Sequence, residues 1–134
     1  MKPKILKLIK SLEEKHNIKI VFAVESGSRS WGFESKDSDY DVRCIHVSPV
    51  ANYLSIIKPI EQIESLKEVE DIDVVSWDIK KFCKLFYESN PQISEWLNSN
   101  DVYIDSEYRK QFKELFQKDV SQYRLKKHYV SMAR

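Results

Sequence analysis

The sequence predicts an α+β fold: a small mixed β-sheet flanked by helices, with a helical C-terminal part. Three observations point there. Short apolar runs rich in β-branched residues alternate with polar turns in the first half. The element order is helix, strand, glycine turn, strand, strand, and then helices only. The length of 134 residues with 42% hydrophobic content suits one domain whose core needs no staples.

Each element has its own signal. Ile5, Leu6, Leu8, Ile9 and Leu12 recur at helical spacing, which predicts an amphipathic helix ending near His16-Asn17. Ile18 to Val24 is short and apolar and reads as a buried strand. Glu25 to Gly32 follows and holds both glycines of the chain. Asp37-Ser38-Asp39 is a polar turn, and Tyr40 to Val47 a second strand. Ser48 to Ser55 reads as a loop with a short helix. Ile56 to Ile63 reads as a strand, because a polar run from Glu64 to Asp71 follows it. Ile72 to Trp77 is a further clear strand. Asp78 is a suitable N-cap for a helix from Ile79 that turns Phe82, Leu85 and Phe86 inward. Pro91 opens another helix carrying Ile93, Trp96 and Leu97. Two more are expected over Ser106 to Phe116 and Val120 to Met132. Residues 1–88 are thus read as the α/β core and 89–134 as a helical extension. The sequence stops inside an apparent helix without a stop signal, which suggests a short version or a fragment of a longer architecture.

Charge and composition exclude several classes. A net charge of +1 gives no global basic signature for nucleic acid. No run approaches the roughly 20 apolar residues of a membrane span, and the basic N-terminus lacks the core of a signal peptide. Cys44 and Cys83 lie far apart in apolar surroundings and read as two buried thiols. The cytoplasm is therefore the expected location, with no membrane association.

The chemistry concentrates in a few residues. Gly27-Ser28 directly follows a buried strand, where backbone N–H groups can meet a phosphate. Taken alone, that pair reads as an ordinary turn. Asp39 and Asp41 are two apart, so on a strand they share a face, and paired carboxylates call for a cation. Mg²⁺ favours such oxygens together with substrate phosphates, and two ions could serve an in-line displacement. A third acid from another strand would complete the set. Asp73 stands inside the apolar Ile72-Asp73-Val74-Val75 and is preferred to Asp71, which lies at the strand's edge. Arg43 continues the face of Asp39 and Asp41. It either neutralises them or holds a triphosphate, and Arg29 beside the Gly-Ser turn has the same two readings.

Together these residues resemble a known pattern. Gly27-Ser28, ten intervening residues, Asp39-x-Asp41 and a distant Asp73 are similar to the DNA polymerase beta superfamily of nucleotidyltransferases. The longer text resembles its YcgL-like, RNA-repair-pathway branch. That text comprises Glu25 to Phe33, Asp37 to Arg43, Ser76 to Lys81, Ser89-Asn90-Pro91, Glu95-Trp96-Leu97 and His128 to Arg134. The sequence departs from the branch at Ser76, where glycine is expected, and at Ser30, where alanine is usual. The resemblance implies one nucleotidyltransferase domain over 1–134, a Mg²⁺ site of two ions with Mn²⁺ as substitute, and a nucleoside triphosphate such as ATP as donor. Asp39, Asp41 and Asp73 would be the metal-binding and catalytic acids, with Asp73 helping to activate the attacking hydroxyl. Gly27 and Ser28 would hold phosphate. An RNA end is the expected hydroxyl acceptor. Two rival readings accompany it: an antitoxin-type partner of a helical toxin, and a nucleotide-binding module without turnover.

Other residues have plain alternatives. Trp77 and Trp96 read as core, while Trp31 divides between core and base stacking. His16, His46 and His128 form no pattern and read as structural or surface residues. The basic run Arg124 to His128 reads as a solvated helix face, with RNA contact as the other reading. Asn90 reads as an N-cap.

Overall fold

The structure is a computed structural model that describes residues 1–26, 39–69 and 71–119. Helix α1 (Lys2–His16) ends in Asn17 at φ 51°, a left-handed stop that asparagine tolerates. Strand β1 (Lys19–Glu25) pairs antiparallel with β2 (Tyr40–Val47). The one-turn helix α2 (Val50–Tyr53) precedes β3 (Gln62–Val69), which forms an antiparallel pair with β4 (Ile72–Asp78). Helices α3 (Ile79–Tyr87) and α4 (Pro91–Leu97) follow, then β5 (Val102–Ile104) and α5 (Glu107–Asp119).

The sheet order is β3-β4-β2-β1-β5. The β2–β4 pair is parallel and the other pairs antiparallel, so the sheet is mixed. The expected α+β arrangement is the observed one. Its two faces carry separate cores. On one face Ile5, Leu8, Ile9 and Leu12 of α1 pack on Ala23, Val42, Cys44, Ile72 and Val74. On the other, Phe82, Ile93, Trp96, Leu97 and Phe116 from α3, α4 and α5 pack on Phe22, Val24, Ile45 and Trp77. Trp77 and Trp96 stack with ring centroids 4.1 Å apart, as core residues.

Both helix caps read from the sequence are in place. Asp78 accepts the Lys80 N–H at 2.9 Å, and Asn90 accepts the Gln92 N–H at 2.9 Å. Three expectations need correction. Ile56 to Ile63 is not a strand: Ile56, Ile57 and Ile60 are exposed, and β3 is built from the polar run instead. At a sheet edge one face can stay wet, so Gln62 and Glu64 point to solvent while Ile63 and Ser65 are buried. Pro59 would interrupt a ladder through the preceding residues. Next, the chain after Trp77 is not helices only, since β5 joins the sheet beside β1. Finally, Cys83 is exposed, whereas Cys44 is fully buried with its thiol pushed up to about 12 by desolvation. The expected helix over Val120 to Met132 lies outside the described residues. Among the described residues no helix is long and apolar enough to cross a membrane.

Candidate active site

The site is built at the start of two parallel strands. Strands β2 and β4 pair with Asp41 directly opposite Asp73, so both carboxylates project from the same face of the sheet. Both are partly open to water, with side chains 34% and 40% exposed. Like charges side by side repel, and Arg43 sits between them as a counter-ion. Its Nη2 lies 3.3 Å from Asp73 Oδ2 and 3.9 Å from Asp41 Oδ1. Its Nη1 donates to the Val42 carbonyl at 3.0 Å, which fixes the guanidinium in that position.

The neighbouring end of β1 holds Asp41 from its other side. The Ser26 N–H donates to the Asp41 carbonyl at 2.9 Å. The Asp41 N–H donates to Glu25 Oε2 at 2.9 Å, and the Tyr103 hydroxyl donates to Glu25 Oε1 at 2.8 Å. Glu25 is fully buried. Burial raises its pKa most, the two hydrogen bonds oppose that, and the nearby Asp41 and Asp101 charges add to it. Tyr103 is raised as well, chiefly by burial and then by its bond to Glu25. The backbone of Glu25 is also anchored: its N–H reaches the Asp101 carbonyl at 2.9 Å, and its carbonyl accepts the Ser99 hydroxyl at 2.8 Å. Arg109, almost buried, caps that loop by donating to the Leu97 and Ser99 carbonyls at 2.9 Å each.

Asp41, Asp73 and Arg43 are therefore brought together. Asp39 is exposed and precedes β2, so the strand period that would align it with Asp41 does not reach it. Asp71 lies outside the pair, in the β3–β4 turn at φ 67°. Among the described residues no group of three His, Cys, Asp or Glu side chains could hold a metal ion. Gly27, Ser28 and Arg29, with Ser30 and Trp31, lie outside the described residues, as do His128 and the basic run from Arg124. Glu25 and Tyr103 received no role from the sequence. The one available signal was a lone glutamate ending an apolar strand.

Two carboxylates are too few for a closed metal cage, but they match the one or two by which Mg²⁺ is held when phosphate and water complete its shell. Asp41 and Asp73 offer carboxylate oxygens at a solvated rim, and a guanidinium already stands where a cation is attracted.

A second polar cluster lies at the far end of the same strands. His46 is fully buried and its Nδ1 is 2.6 Å from Ser76 Oγ, while Nε2 is 3.3 Å from the Ile60 carbonyl. A carbonyl can only accept, so Nε2 carries the proton and Nδ1 accepts from Ser76. Asp78 Oδ1 is 3.8 Å from Nε2 but is engaged by the Tyr53 hydroxyl at 2.6 Å. Ser76, His46 and Asp78 are all buried, so this is a structural relay and not a triad open to substrate. Burial chiefly lowers the His46 pKa from its ordinary 6.5; the Ile60 bond and Asp78 oppose this, and His16 adds a little. The unfolded chain then takes up this proton first as pH falls. The contribution of His46 to stability is complete above 6.5 and is lost progressively below it. Glu25, with a raised pKa, works in the opposite direction over the acid range. Melting curves from pH 8 to pH 5 are expected to show a shallower acid decline for His46→Gln than for the wild type. Equal slopes would contradict the assignment.

The RNA repair pathway DNA polymerase beta family matches residues 1–134. Uncharacterized protein YcgL of Bacillus subtilis (strain 168) is 42% identical over 140 residues, which covers 100% of this chain and 52% of that protein. The chain thus spans about half the length of that relative. No solved structure matches. With the family matching from its first residue to its last, the chain belongs to the RNA repair pathway DNA polymerase beta family.

Proposed function

We propose that the protein is a Mg²⁺-dependent nucleotidyltransferase that moves a nucleoside monophosphate from a nucleoside triphosphate to a hydroxyl, with an RNA end as acceptor. The observation that carries this reading is the register pairing of Asp41 with Asp73, beside the strand that leads into Gly27-Ser28. Family membership supports the reaction class. Asp41 and Asp73 are the residues that would hold the ion, with Asp39 as a further ligand. Bound there, Mg²⁺ would supply charge neutralisation for the triphosphate.

The chain's own residues do the remainder. Gly27 and Ser28 receive the phosphates on backbone N–H groups. Arg43 balances the two carboxylates before substrate arrives, and Arg43 and Arg29 offer cationic donors to the triphosphate. The acceptor oxygen forms a bond to the α-phosphorus while the bond from that phosphorus to pyrophosphate breaks. Asp73 takes the acceptor's proton. The test is to incubate the purified protein with Mg²⁺, labelled triphosphates and RNA of defined ends. Labelled RNA and released pyrophosphate are expected in equal amounts. No transfer to any hydroxyl, by this chain or by a full-length protein containing it, would overturn the proposal.

One observation favours a second reading, a protein-binding role as partner of a helical toxin. Val50, Leu54, Ile56, Ile57 and Ile60 are all exposed within one short segment, an unusual density of aliphatic surface. Co-purification of a toxin that is lost on Leu54→Asp with Ile57→Asp would support it. Unchanged co-purification would remove the segment from any such interface.

A further inference from the structure

We infer that Glu25 is a positioning residue, whose buried carboxylate joins the Asp41 backbone to the Tyr103 hydroxyl and so sets where the Asp41 side chain stands against Asp73. The inference rests on reading Asp41 and Asp73 as a cation site and adds a residue that touches neither ion nor substrate.

The geometry is specific. The register pairs Glu25 with Val42, so the Glu25 side chain lies on the α1 face, opposite the face from which Asp41 projects. It therefore reaches the Asp41 N–H and not its carboxylate. The next residue, Ser26, binds the Asp41 carbonyl. Glu25, the last residue of β1, and Ser26 after it thus grip both polar groups of Asp41's backbone, and Gly27-Ser28 follows them directly in the sequence. An internal carboxylate is costly to bury, and a neutral apolar residue would fill the space more cheaply. What the carboxylate adds is two acceptors at once, one for β2 and one for β5. Removing them orphans the Asp41 N–H and the Tyr103 hydroxyl and loosens the start of β2. Groups that orient a ligand from outside the ligand set typically contribute about 10–100-fold to metal affinity.

The test is a Mn²⁺ titration followed by electron paramagnetic resonance on the full chain, with melting temperatures measured without metal. Glu25→Ala removes both acceptors. Glu25→Gln keeps a carbonyl oxygen for the Asp41 N–H and turns its amide towards the Tyr103 oxygen. Tyr103→Phe removes one anchor and leaves the fold the better chance of surviving. Glu25→Ala is expected to weaken Mn²⁺ binding about tenfold or more, Glu25→Gln to stay within about threefold of wild type, and Tyr103→Phe to fall between them. A purely structural residue would lower the melting temperature and leave the Mn²⁺ affinity of the folded protein unchanged. That result in Glu25→Ala, or in Tyr103→Phe should Glu25→Ala not fold, overturns the inference. Glu25→Gln as weak as Glu25→Ala also overturns it, because the charge itself would then belong to the cation site. A wild-type chain that binds no Mn²⁺ overturns the cation-site reading, and the inference with it. The wild-type titration therefore separates the two failures.

Discussion

Asp41→Asn and Asp73→Asn are each expected to reduce nucleotidyl transfer by about a thousandfold or more while leaving the fold intact. Asparagine keeps the shape of the side chain and removes its negative charge. If each carboxylate anchors the cation that balances the transition state, its loss removes several kcal/mol, and about 4 kcal/mol corresponds to roughly three powers of ten in rate. Stability should change little. Both side chains are more than one-third exposed, and their ion pairs with Arg43 lie in water, where such pairs contribute little. Single-turnover transfer at saturating triphosphate, with melting curves in parallel, checks both halves. Retention of transfer within about tenfold would remove that aspartate from the chemistry, since about 1.4 kcal/mol is too small for a cation ligand. Asp39→Asn is the informative companion. Asp39 is exposed ahead of β2, so a comparable loss would mean that substrate or cation draws it towards Asp41.

The second large effect concerns the fold. Phe82→Ala is expected to destabilise the protein by about 3–5 kcal/mol, a large part of the ~5–15 kcal/mol that holds a domain together. Phe82 is fully buried on α3 and meets three other rings. Its centroid lies 5.9 Å from Phe22, 4.9 Å from Phe112 and 6.0 Å from Phe86. Phe22 belongs to the sheet and Phe112 to α5, so one side chain ties sheet, α3 and α5 together. Alanine leaves a cavity that three helices and a sheet cannot close by small shifts. A melting temperature lower by on the order of 10 °C is expected. Leu54→Ala, at an 82% exposed position, should stay within about 0.5 kcal/mol of wild type. Equal effects of the two substitutions would contradict the packing described here.

Much of this was legible in the residues themselves. The periodicity of Ile5, Leu8, Ile9 and Leu12 determined α1 and its buried face, because helical spacing places those four side chains in one stripe. Asp78 and Asn90 determined where α3 and α4 begin, since capping needs only the residue and the N–H groups that follow it. The candidacy of Asp39, Asp41 and Asp73 was likewise local, acids set beside or within apolar strand text, although the pair it joined was Asp39 with Asp41 and not Asp41 with Asp73.

Tertiary structure decided what local pattern cannot carry. Strand β3 intervenes in sequence but lies at the sheet edge, so β4 pairs with β2 and Asp73 stands opposite Asp41. No periodicity reports strand order, because order depends on which edge each strand finds. Strand β5 has three residues and exists because β1 offers an open edge there. The register of β1 shifts between Ile20 and Phe22, and Val21 and Phe22 both pack towards the helices α3 to α5. Simple alternation from Ile20 would have placed Glu25 on the same face as Asp41. The bulge moves it to the other face, where it holds the Asp41 backbone instead of facing a second carboxylate. The sequence by itself thus determined which residues carry charge and where helices start. Which charges meet, and from which side, was decided by long-range strand pairing, whose energy is shared among residues far apart in the chain.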